Sequence, residues 1–114
     1  MSTLDFSGRK GKPVVVVGSL NMDLVFRTPR VPGPGETVTG RSFLEVPGGK
    51  GANQAVACAR LSGRPGAVAM IGCVGHDGFG ETLRAALVAD GVEAGFVERS
   101  ETAPTGVALV MVED

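Results

Sequence analysis

The sequence predicts an α/β protein on a parallel sheet, a three-layer sandwich that these residues start without completing. Two apolar runs, residues 13–18 and 67–72, are rich in β formers and each ends in glycine, as strands buried inside a parallel sheet do. Helical runs over residues 52–61 and 79–90 alternate with them, and such alternation means parallel strands joined by right-handed crossovers. Two helical runs cannot cover both faces of a sheet. The chain is therefore expected to be part of a larger domain.

The elements follow in order. Pro13-Val14-Val15-Val16-Val17-Gly18 is a β-branched run, expected as a strand buried on both faces. Ser19-Leu20-Asn21-Met22-Asp23 leaves its C-terminal end, where open α/β sheets place their ligands. Residues 24–27 resume an extended pattern, and Pro29, Pro32, Gly33, Pro34 and Gly35 form a stiff turn that excludes helix. Residues 37–46 alternate loosely and carry β formers, which predicts a solvated strand antiparallel to residues 24–27. Pro47-Gly48-Gly49-Lys50-Gly51 then opens the first helix, where Val56, Ala59 and Cys58 or Ala52 give a narrow face that lets it lie close to a sheet. Ser62-Gly63-Arg64-Pro65-Gly66 stops it.

Residues 67–72 are the second buried strand, and residues 75–80 a glycine-rich loop. In the second helix Leu83, Ala86, Leu87 and Asp90 recur at helical spacing, with Glu81 in the favourable first turn and Gly91 placed as the C′ residue. Residues 92–99 and 105–113 are strand candidates. In the latter Val107, Leu109 and Met111 face one way, and Ala108, Val110 and Val112 the other.

Composition narrows the function. A net charge of −1 and a pI near 5.8 argue against a nucleic-acid or anionic-membrane surface. No apolar run approaches the roughly 18 residues of a membrane span, and no signal peptide opens the chain. Residues 1–12 are polar and lack apolar periodicity, so a flexible tail is expected there, with the folded part over residues 13–114. Cys58 and Cys73 lie in apolar contexts, His76 is the only histidine, and no CxxC occurs. Free buried thiols, no metal site and a cytoplasmic protein are the expectations.

The glycine turn at residues 47–51 invites a phosphate, because it exposes backbone just before a helix N-terminus. Neither nucleotide motif is met, however. Lys50 is followed by Gly51, not the Ser or Thr of a P-loop, and Gly18-Ser19-Leu20-Asn21 lacks the dinucleotide GxGxxG. What remains is a polar constellation. Asn21 and Asp23, two apart in an extended segment, point to one side. Asn53 sits in the first turn of the helix, and Lys50 adds a cation. Together they offer donors and acceptors in several directions, as vicinal hydroxyls require. From the residues alone, a sugar or polyol site stands beside plainer readings: loop capping by Asn21 and Asp23, and a solvated turn charge at Lys50.

Gly18-Ser19-Leu20-Asn21-Met22-Asp23, Pro34-Gly35-Glu36-Thr37, Gly48-Gly49-Lys50-Gly51-Ala52-Asn53-Gln54-Ala55 and Pro104-Thr105-Gly106-Val107-Ala108 resemble, in register from about Val14 onward, the amino-terminal part of the PfkB carbohydrate kinases. The resemblance implies a ribokinase-like three-layer α/β sandwich with a small β lid, here incomplete, whose lid strands fall at about residues 24–46 and 105–112. It implies sugar contacts from Asn21, Met22 and Asp23, an opposite wall from Gly49, Lys50, Gly51, Ala52 and Asn53, and apolar contacts from Ala108 and Val110. The implied activity is ATP-dependent phosphorylation of D-ribose at O5 with Mg2+ and a monovalent cation, K+, by a protein that dimerises through its lid. A nucleoside kinase of the same family is an alternative. The family's Gly-Ala-Gly-Asp segment, with its anion hole and catalytic aspartate, is absent from these residues. The chain alone is therefore expected to be inactive, or to be a non-catalytic, truncated sugar-binding or interaction module.

Overall fold

The computed structural model describes residues 3–5, 7 and 11–114, so half of the expected tail over residues 1–12 lies outside the described residues. The elements run β1 (Val14–Val17), β2 (Asn21–Thr28), β3 (Ser42–Gly48), α1 (Lys50–Ser62), β4 (Val68–Gly75), α2 (Gly78–Ala89), β5 (Val92–Ser100) and β6 (Val107–Glu113). They make two sheets. The body sheet has the order β1-β4-β5 and is parallel throughout. The accessory sheet has the order β3-β2-β6, with β2 antiparallel to β3 and parallel to β6.

The helices form where the sequence places them and end for local reasons. In α1 the small residues Ala52, Ala55 and Ala59 are buried, which lets the helix approach β1 and β4, and Gly63 terminates it in the left-handed region at φ 60°. In α2 Asp77 is the N-cap and accepts a hydrogen bond from the Gly80 N–H, and Leu83 and Leu87 lie one turn apart and are buried. Burying each of those leucines contributes about 1.5–3 kcal/mol. They close a single core with Leu20, Met22, Val68, Met70, Val92 and Val97.

Both helices pack on one face of the body sheet, α1 over β1 and β4 and α2 chiefly over β5. The alternate residues Val15, Val17 and Cys73 face the other side and are exposed. The sandwich is thus incomplete, as expected. The expectation that β1 is buried on both faces is corrected: β1 is an edge strand with β4 on one side only, and Val17 is 74% exposed. Four consecutive valines report a strand suited to burial, but the neighbours that would bury it are not among these residues.

The strand expected over residues 37–46 starts only at Ser42. Residues 29–41 instead form a turn in which Arg30 pairs with Glu36, whose backbone N–H and carboxylate both meet Gly33. Pairing begins where Arg27 comes opposite Ser42, and the Arg41 N–H donates to the Arg27 carbonyl at 2.7 Å.

Candidate functional site

The accessory sheet sets which side chains share a face. Asp23 pairs with Val46 on one side and Ala108 on the other, and Val25 pairs with Leu44 and Val110. Residues opposite one another across a sheet project to the same side. Asn21, Asp23, Val46, Ala108 and Val110 therefore line one surface. On it the Asn21 side-chain amide donates to Asp23 Oδ1 at 2.6 Å. Met22 belongs to the other face and is completely buried in the core, so its side chain is not on the surface that carries Asn21 and Asp23.

Glycine keeps the Asp23 carboxylate in place. A Cβ on Gly48, which pairs with Asn21, would lie 2.6 Å from Asp23 Oδ2. The next glycines serve a different purpose from the one the sequence suggests. A Cβ on Gly49 would lie 2.5 Å from the Ser19 carbonyl oxygen, and one on Gly51 would lie 2.7 Å from the Ser19 nitrogen. The Ala52 N–H donates to the Ser19 carbonyl at 3.0 Å, and the Asn53 N–H to the Gly49 carbonyl at 2.9 Å. The bare backbone of this turn is met by the chain's own segment leaving β1. Gly51 and Ala52 are buried, whereas Lys50 and Asn53 are exposed at the start of α1. Lys50 stands at the positive end of the helix dipole with no acidic residue in that turn.

Two N–H groups of this turn, those of Ala52 and Asn53, are thus taken by the chain's own Ser19 and Gly49 carbonyls. The described residues include no group of three His, Cys, Asp or Glu able to hold a metal ion. No helix among them is long and apolar enough to cross a membrane. A groove of about 390 Å³ between α1 and α2, lined by Leu20, Pro47, Ala52, Asn53, Leu83 and Leu87 among others, contains Asn53 but not Asn21, Asp23 or Lys50.

A second polar cluster, in the glycine-rich loop of residues 75–80, ties the two sheets together. Asp77 Oδ1 accepts from the Gly80 N–H at 2.8 Å and from the Thr105 hydroxyl at 2.6 Å, while Oδ2 accepts from the Thr105 N–H at 2.8 Å. The Thr105 hydroxyl oxygen in turn accepts from the Gly75 N–H at 2.8 Å. An Asp immediately before a helical run is a legible N-cap signal; its partner 28 residues later is not.

The Thr105 hydroxyl, then the Thr105 and Gly80 N–H groups, hold the Asp77 carboxyl below the usual carboxylate range, and the nearby His76 acts in the same sense. Glu101 pairs with His76 at 3.6 Å, and Glu45 of β3 shares a hollow with Asp77. A carboxyl whose pKa is lower folded than unfolded stabilises the fold above its unfolded pKa, and that contribution is lost as pH falls through the folded value. The Thr105 amide resonance should therefore titrate with an inflection below about pH 3.9. An inflection above that value would contradict the assignment.

The pattern described as "pfkB family carbohydrate kinase" matches residues 12–114, and the chain belongs to that family. Within it, the chain is 52% identical over 103 residues to the ribokinase of Lactococcus lactis subsp. lactis, covering 89% of this chain and 33% of that protein. It is 49% identical to the ribokinase of Schizosaccharomyces pombe, with the same shares of the two chains covered. Among solved structures, the Arabidopsis thaliana ribokinase complexed with ribose and ATP superposes with a TM-score of 0.81 at 38% identity, over 90% of this chain and 32% of that one. The chain spans about a third of the length of the curated relatives it matches.

Proposed function

We propose that the chain is the sugar-binding portion of an ATP-dependent kinase that phosphorylates D-ribose at O5, with the accessory sheet as the lid over the sugar. The observation that carries this reading is the register of that sheet. It sets Asn21 and Asp23 beside Ala108 and Val110 on one face, giving a carboxylate and an amide for hydroxyls and an apolar flank for carbon. Gly49, Lys50 and Asn53 supply the facing wall, with Gly51 and Ala52 acting by packing behind it. Met22 contributes backbone only. The Arabidopsis complex with ribose and ATP supports the substrate pair.

ATP supplies the phosphoryl group, with Mg2+ and K+ as its companions, and none of the residues described here is assigned to hold them. The transfer also needs a base and an anion hole, and no Gly-Ala-Gly-Asp segment occurs in these 114 residues. The isolated chain is thus expected to show no ribose-dependent turnover of ATP. A chimera carrying it in place of the corresponding third of the L. lactis ribokinase is expected to phosphorylate ribose. Turnover by the isolated chain would overturn the expected inactivity, and a folded chimera that binds adenosine and not ribose would overturn the ribose assignment.

The face of the lid opposite Asp23 also carries exposed apolar side chains, including Phe43, Leu109 and Met111. A second copy of the lid is their proposed cover, in a homodimer of the cytoplasmic enzyme. Sedimentation of the chimera checks this, a monomer at all concentrations being the contrary result.

A further inference from the structure

We propose that Asp77 and Thr105 are positioning residues: the clamp between them sets the register of β6 and so holds Ala108 and Val110 beside Asp23. The link to sugar rests on the function proposed above; the clamp itself does not.

Three chain segments join the body to the accessory sheet. The segment leaving β1 and the glycine turn before α1 interlock, through the close approach of Gly49 and Gly51 to Ser19 and the bond from the Ala52 N–H. The third, between Ser100 and Val107, is held chiefly through Thr105. Its first part is a local turn in which the Ser100 hydroxyl accepts from the Thr102 and Ala103 N–H groups at 3.2 and 3.0 Å. Its far end is held by Asp77. Thr105 is only 4% exposed, and the space around it is shaped by missing side chains. A Cβ on Gly75 would lie 2.3 Å from the Thr105 nitrogen, and one on Gly80 would lie 2.2 Å from the Gly75 carbonyl oxygen.

The strand that follows needs a pin. Val-Ala-Leu-Val-Met-Val is apolar at every position, so its hydrophobic pattern does not distinguish one face from the other. A strand of that kind has weakly specified register, and a slip of one residue exchanges its faces. β6 is also at the edge of its sheet, paired with β2 alone. A one-residue slip would put Val107 or Leu109 beside Asp23 in place of Ala108. Thr105, two residues before Val107, is fixed by two bonds to one carboxylate. The Met22 N–H then donates to the Gly106 carbonyl at 2.9 Å, the first bond of the ladder in the correct register.

Hydrogen exchange of the chain without sugar tests the clamp. Asp77→Asn and Thr105→Val should each speed exchange over residues 107–113 at least tenfold, with β1, β4 and β5 changed less than twofold. Thr105→Ser, which keeps the hydroxyl, should stay close to the wild type. If Asp77→Asn does not fold, the Thr105→Val and Thr105→Ser pair decides. Faster exchange confined to the first turn of α2 would make Asp77 a helix cap only and overturn the clamp, as would Thr105→Ser behaving like Thr105→Val. In the chimera, Thr105→Val should raise the KM for ribose about tenfold and leave the KM for ATP unchanged, with recovery in Thr105→Ser. An equal rise in both would overturn the positioning role. A chimera silent towards ribose, in which β6 exchange still responds to the substitutions, would overturn the sugar reading and leave the clamp standing.

Discussion

Asp23→Ala, introduced into the chimera, is expected to weaken ribose binding at least a hundredfold and to leave nucleotide affinity as it was. Asp23 is the one carboxylate on the face that also carries Asn21, Ala108 and Val110, and its position is fixed from below by the bare Gly48 backbone. A hydrogen bond to a charged group is worth about 1.5–3 kcal/mol, so removing an acceptor shared by two hydroxyls costs roughly 3 kcal/mol or more. Tenfold in affinity is about 1.4 kcal/mol. Structural damage should be small, since the principal side-chain partner lost is the Asn21 amide. Calorimetry with ribose and with a nucleotide reads both arms. Unchanged ribose affinity would remove Asp23 from the site.

The second large effect concerns folding. Gly49→Ala is expected to destabilise the chimera by about 2–5 kcal/mol, from two costs that add. Gly49 sits at φ 101°, a backbone region that L side chains rarely adopt, at about 1–2 kcal/mol or more. Its new methyl group would meet the Ser19 carbonyl oxygen and carbon and the Leu20 Cα, all backbone within 2.9 Å. Overpacking of that kind costs about 1–3 kcal/mol. Gly78→Ala is the control, because a Cβ there meets nothing within 4 Å and alanine favours helix. Urea unfolding compares the two. A Gly49→Ala protein within about 0.5 kcal/mol of wild type, the range of ordinary surface changes, would refute the interlock with Ser19.

The sequence was informative where one local pattern decides an element. Four valines in a row make β1 a strand, the spacing of Leu83 and Leu87 makes α2 a helix, and Gly63 and Gly91 mark the two C-termini. The same-face placement of Asn21 and Asp23 also follows from local geometry, since a strand alternates. What was not legible depends on partners distant in the chain. β1 reads as central and is an edge, because hydrophobicity records suitability for burial and says nothing about which neighbours are present. Ala55 is completely buried on the face of α1, but its burial is not legible beside the half-buried Val56 and Cys58, since alanine carries little signal of its own. Met22 reads as a site residue from its position in a motif, and strand alternation turns its side chain into the core. Asp77 reads only as part of a glycine-rich loop because Thr105, its partner, belongs to another crossing.

The glycine turn has a consequence for how sugar selectivity can change. Gly49 and Gly51 are held without side chains by the backbone at Ser19, and Gly48 by the Asp23 carboxylate. Mutation at these positions disrupts the fold before it can reshape the wall, so that side of the proposed pocket offers little material for divergence. The facing strands differ: Val46, Ala108 and Val110 carry ordinary side chains on an exposed or half-exposed sheet surface. Relatives that prefer other sugars should therefore differ chiefly along β3 and β6, and a library aimed at a new substrate belongs there.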